Sequence, residues 1–269
     1  MWNSTNPALA NDDAFNQFYG KAMFKEQSNV ATLQGVVNKT AILATIAIAA
    51  GVGGYALVSQ YASFMWISWI TCLVVTLGIY FVIHGKPQTA VFLGPVYAVV
   101  EGGFLGALTG VAEYMLAAQG AKVPGGVALQ AFIITGSALA GMLTLYSTGI
   151  LRPTETFKRI IYTATAAICI TYAISFVLWL VGVKLPFMSV FSSGATGPAL
   201  IGLGINLFVL GIASLWLIID FGMIEQRLRN ESPKYMEWYC GFALLVTLAW
   251  IYYEAVKMVI RVASLLNRR

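Results

Sequence analysis

Four carboxylates lie inside long apolar stretches of the chain: Glu101 and Glu113 in one stretch, Asp220 near the end of another, and Glu254 in the last. An ionisable side chain in hydrocarbon is costly, and those that persist face a cavity or a partner. Oxygen ligands suit hard cations such as calcium, and the same oxygens take protons. Converging carboxylates therefore make cation binding and pH compete at one site. Like charges held together also raise one another's pKa, which moves titration toward neutrality. This residue set favours a pH-sensitive cation path over acyl-transfer chemistry.

The four positions are not equivalent. Glu113 is near the end of its stretch and reaches water, so it reads as interfacial. Glu101 is near the middle, directly before Gly102, where snorkelling is hard; it is either a station on the path or a buried glutamate bonded to neighbouring helices. Asp220 falls between Leu215–Ile219 and Phe221–Ile224, and a helix continuing through Arg229 would bury it a few turns deep, with Glu225 nearer the surface. Glu254 has Lys257 at i+3, close enough for an intrahelical ion pair. The same pair would also serve as a gate, since protonation or cation binding changes which partner holds the carboxylate.

Catalytic alternatives find little support, and the chain reads as a non-enzyme with no cofactor and no structural metal site. His84 is the single histidine, and neither Gly-x-Ser-x-Gly nor HExxH occurs. Lys257 on the last helix suggests a retinal Schiff base only with the opposite topology. Cys72, Cys169 and Cys240 have no CxxC or Cys/His spacing and read as buried thiols without disulfides.

The elements that position these residues follow from composition. The 269 residues are 59% apolar and only 10% charged, and mean hydropathy is +0.77. A bilayer core about 30 Å thick takes roughly 20 apolar residues per helix. Runs of that order stand at Ala41–Val58, Phe64–Ile83, Ala90–Ala118, Val127–Leu151, Ile160–Val181, Ile201–Phe221 and Tyr239–Val259. Unpaired backbone groups are too costly in lipid, so the expected fold is all-α, a polytopic membrane protein of seven helices. Residues 1–40 form a polar arm and 41–269 the transmembrane domain, with the Ala41 run a retained anchor. The spacing of Phe15, Phe18, Tyr19, Met23 and Phe24 predicts a short amphipathic helix over Asp12–Phe24. Ser192, Ser193, Gly194 and Gly197 make Lys184–Pro198 an ordinary exposed connection.

Orientation follows the positive-inside rule. Lys21, Lys25, Lys39, Lys86, Arg152, Lys158, Arg159, Arg227, Arg229 and Lys234 collect on one face, against Lys122 and Lys184 on the other, which places the N-terminus in the cytoplasm. Lys257, Arg261, Arg268 and Arg269 oppose the rule if the seventh segment spans; its length favours spanning over a re-entrant loop. The net charge of +5 is then a topology signal and not a nucleic-acid footprint. Gly102, Gly106 and Gly110 form a row for close helix packing, within this chain or between two copies.

Several motifs suggest a relationship. Asn6-Pro7-Ala8-Leu9, Gln34-Gly35-Val36-Val37-Asn38-Lys39-Thr40, Tyr97-Ala98-Val99-Val100-Glu101-Gly102, Asp220-Phe221 with Ile224-Glu225, and Pro233-Lys234-Tyr235-Met236-Glu237-Trp238-Tyr239 run from one end of the chain to the other. Together they resemble the transmembrane Bax inhibitor motif family, in particular its prokaryotic branch. The resemblance implies six helices around a central seventh and a pH-dependent calcium leak, here in a bacterial plasma membrane. It also implies a proton-sensitive acidic pair, matched by Asp220 on helix six and Glu254 on helix seven. The family's basic partner on helix two has no clear equivalent; His84 and Lys86 are nearest. Expected partners are the bilayer, calcium and protons. The alternative is a non-conducting regulator that binds another membrane protein such as a quality-control protease, and the oligomeric state stays open. A departure is the long connection before helix seven. Counted from a turn near Glu231–Ser232, Asp220 and Glu254 differ in depth by roughly 16 Å. If they do not share a site, Glu101 or Glu237 is the next partner for Asp220.

Overall fold

The computed structural model describes residues 29–61, 63–183, 185 and 196–267. The amphipathic segment Asp12–Phe24, the Asn6–Leu9 motif, most of the connection Lys184–Pro198, and Arg268 and Arg269 lie outside the described residues. Seven helices follow in order: α1 (Leu33–Gln60), α2 (Phe64–Gly85), α3 (Ala90–Ala118) after a 3-10 turn at Pro87–Thr89, α4 (Gly126–Ser147), α5 (Glu155–Leu180), α6 (Thr196–Arg229) and α7 (Met236–Leu266). Each is long and apolar enough to cross a membrane, and the fold is all-α.

The connections define two ends of the bundle. At one end Ala31 N donates to Ser232 O at 2.8 Å, and Lys234 N donates to Asn29 O at 2.8 Å, so the chain before α1 is strapped to the α6–α7 turn. At the other end Asn267 Nδ2 donates to Gln119 O at 2.7 Å, joining the close of α7 to the close of α3. The seventh segment is thus one continuous helix across the bundle, not a re-entrant loop.

Helix α7 is the hub. About 61% of its most apolar stretch is buried, as is 56% of that of α6, against 28% or less in the others. Its buried residues enter three of the four apolar clusters, and Trp250 packs against the fourth. Phe242 and Leu245 pack with Leu43, Ile83 and Tyr97; Leu244 and Ile251 with Leu217 and Phe221; Val256 and Ile260 with Leu116 and Val127. Helix α5 packs mainly on α6, through Ile161 and Ile168 against Val209, Ile212 and Ile219. Its other sides look outward, which explains why Cys169, expected to be buried, is exposed, whereas Cys72 and Cys240 are buried.

The glycine row closes α1 onto α3 inside the one chain. A Cβ on Gly102 would meet the Ala47 carbonyl, one on Gly106 the Gly51 carbonyl, and one on Gly54 the Gly103 carbonyl. On Gly110 it would come within 2.6 Å of Val58 Cγ1. The row is therefore occupied by α1 and offers no face to a second copy.

Candidate functional site: two polar stations along the last two helices

Polar side chains in the α6–α7 interface gather in two places. Nearer the α6–α7 turn, Asp220 is 4% exposed and accepts a hydrogen bond from the Thr247 hydroxyl at 2.6 Å. Helix α6 does run on to Arg229, so Asp220 is nine residues, about 14 Å, inside its end. No basic side chain is ion-paired with Asp220 among the described residues. Beside it is a small cavity of about 10 Å³, room for about one water, lined by Met223, Ile224, Arg227, Tyr239, Cys240 and Ala243. These residues all lie on the turn side of Asp220.

The second station is built around Glu254, which is fully buried. Lys257 Nζ lies 2.7 Å from Glu254 Oε1 and 3.1 Å from the Tyr172 hydroxyl. The Tyr172 hydroxyl also donates weakly to Glu254 Oε1 at 3.4 Å. Asn206, on α6, donates through Nδ2 to Glu254 Oε2 at 2.7 Å and to the Glu254 carbonyl at 3.1 Å. The ammonium stands over the rings of Tyr253 at 4.5 Å and Tyr172 at 5.1 Å. An isolated ion pair would be expensive here. Its cost is offset because the remaining donors and lone pairs are also engaged.

Asp220 and Glu254 do not meet. The α7 residue opposite Asp220 is Thr247, two helical turns before Glu254, which leaves the two carboxylates about 10 Å apart in depth. The separation is smaller than the count from the turn suggests, because α7 begins only at Met236. The pairing of Asp220 with Glu254 is therefore corrected to two separate stations. Thr247 gives no signal in the sequence, because a hydroxyl in an apolar helix carries no charge.

The other acidic candidates are held elsewhere. Glu101 is partly buried and accepts a hydrogen bond from the Cys72 thiol at 3.2 Å, which places it between α3 and α2. Glu113 accepts from the Tyr55 hydroxyl at 3.0 Å near the α7 tail end. Glu225 lies near the end of α6, accepts from the Tyr146 hydroxyl, and is ion-paired to Arg229. Glu237, buried in the first turn of α7, accepts from both Thr32 N and Thr32 Oγ1 at 3.1 Å. It fastens the start of α1, and a Cβ on Gly35 would collide with its carboxylate. Two motifs 200 residues apart in sequence thereby meet in space.

The basic candidates on α2 reach neither carboxylate. His84 is exposed and stacks on Tyr80, and Lys86 is exposed beyond the helix end. Lys257 is the basic partner instead, and it sits on α7 itself. Its burial, with that of Arg261, also accounts for part of the apparent violation of the charge rule. Those two cations belong to the protein interior and not to a loop.

Neither a search of curated proteins nor a search of solved structures finds a match. A family model described as Bax inhibitor 1 like matches residues 6–264. With that match spanning nearly the whole chain and the last two helices carrying its buried carboxylates, the protein belongs to the Bax inhibitor 1 like family of membrane proteins.

Proposed function

We propose that this protein is a non-catalytic, pH-sensitive cation leak, permeable to calcium, of a bacterial plasma membrane, with its N-terminus in the cytoplasm. The observation that carries the reading is Asp220: a carboxylate deep in the bundle, without an ion-pair partner among the described residues and with a small cavity on its α6–α7 turn side. In such a place a proton or a hard cation supplies the compensating positive charge, so the two compete for the same oxygens. The Thr247 hydroxyl orients the carboxylate and leaves its other oxygen for that exchange.

On this reading the path is closed at Glu254, whose charge is met by Lys257. Conduction on this reading needs the second station to open. The test is purified protein in calcium-loaded liposomes, with efflux followed across pH. Efflux that changes between roughly pH 6 and 7 is expected, where coupled or buried carboxylates titrate. Efflux equal to that of empty liposomes at every pH would overturn the leak and favour a regulator that acts by binding another membrane protein.

A further inference from the structure

The groups around Lys257 Nζ are those of a cation-binding site. A carboxylate oxygen stands at 2.7 Å, a hydroxyl oxygen at 3.1 Å, and two tyrosine rings at 4.5 and 5.1 Å. Aromatic faces and an anionic oxygen together are the common recognition chemistry for ammonium and alkali cations. One further group points the same way. Asn206 is 3% exposed, and while its Nδ2 donates to Glu254, its Oδ1 has no hydrogen-bond partner. A buried amide oxygen without a donor is rare in a packed interior, and each case calls for an explanation. That oxygen does not bond the Lys257 ammonium; what Asn206 supplies is the Nδ2 hydrogen bond that fixes the Glu254 carboxylate in place.

We propose that Glu254, Tyr172 and the Tyr253 ring form a second cation site, distinct from Asp220 and braced by Asn206, and that the Lys257 ammonium is a tethered occupant holding the place of a free cation. A permeating ion cannot occupy Glu254 while Lys257 does, so the lysine shuts this half of the bundle. The tether is short, since Lys257 lies one turn from Glu254 on the same helix, which makes the local ammonium concentration far higher than that of any free cation. Withdrawal of Tyr172 removes one ligand and one ring together. Helix α5 packs mainly on α6, so Tyr172 is also the contact through which movement of α5 would reach the site. The role as a closure rests on the leak reading; the presence of a cation site does not.

The experiment separates the two. Full-length Lys257→Ala, purified in detergent, is melted with and without ethylammonium, sodium or calcium at millimolar concentration. The expected result is a Tm below that of the parent protein, raised by several degrees by at least one of these cations, because a ligand that binds only the folded state stabilises it. The parent protein, whose site is filled, and Lys257→Ala/Glu254→Gln, which lacks the carboxylate, should show no such shift. Should Lys257→Ala fail to fold, Lys257→Val, which restores part of the apolar stem but is too short to reach the ammonium's place, is melted instead. Absence of a cation-dependent shift in the folded single variant would overturn the site. In liposomes the same variant should pass cations about tenfold faster than the parent protein, and Lys257→Arg should stay closed. A thermal shift without any flux would retain the site and remove the leak.

Discussion

The carboxylates of the last two helices differ in what neutralises them, and their substitutions should differ accordingly. Asp220 has a hydroxyl, Glu254 a lysine, an asparagine and a tyrosine. Asp220→Asn keeps the size and removes the titrating proton. It should flatten the pH response of efflux, which for one titrating group is at most about tenfold per pH unit. Glu113→Gln, partly exposed beside Tyr55, should leave the profile unchanged. Equal profiles for the two variants would remove Asp220 from the mechanism. Glu254→Gln strands a buried lysine and should cost about 3–5 kcal/mol in unfolding free energy, whereas Glu254→Gln/Lys257→Met should recover most of it. Denaturant unfolding of Glu254→Gln, Lys257→Met and the double variant checks this, and strictly additive losses would mean the pair is not coupled. The types of these residues were legible in the sequence, and so was the Glu254–Lys257 spacing. Which residues meet was not, because tyrosine, asparagine and threonine are unremarkable among apolar neighbours until the helices are set side by side.

At the scale of helices, the sequence was most informative where backbone chemistry allows one answer. Long apolar runs in lipid must be helical, and all seven are. The glycine row likewise had to meet something close. Its partner, α1, carries its own Gly51 and Gly54 in a less regular pattern. Gly106→Ala would press a methyl into the Gly51 carbonyl and should destabilise by about 1–3 kcal/mol. Gly136→Ala, in α4, meets nothing within 4 Å and should be neutral or slightly stabilising through helix propensity. A thermal melt of both tests the packing, and equal Tm values would deny the close approach. The exposure of Cys169 was not readable, since every face of α5 is apolar and hydropathy does not distinguish lipid from protein. Thiol labelling by a membrane-permeant maleimide should therefore reach Cys169 faster than Cys240.

Taken whole, the molecule has two ends that a reporter can tell apart. Thr154, before α5, shares an end with Ser232, because Arg152 approaches Glu225 at 3.9 Å and Pro153 packs on Gly222. Lys122, following α3, is at the other end with Asn267. Fusions at Thr154 and Arg269 should read on opposite sides, and the charge distribution places Thr154 in the cytoplasm. Matching readings would break the count of seven spans.

The strap at the α6–α7 turn also bears on how the chain is made. Thr32 leaves the ribosome early, yet its partner Glu237 follows 205 residues later. Until the final hairpin is inserted, the start of α1 has no Glu237 carboxylate to hold it. A product truncated before the last helix lacks the carboxylate that holds the start of α1, so this fastening marks chains in which α7 has been made.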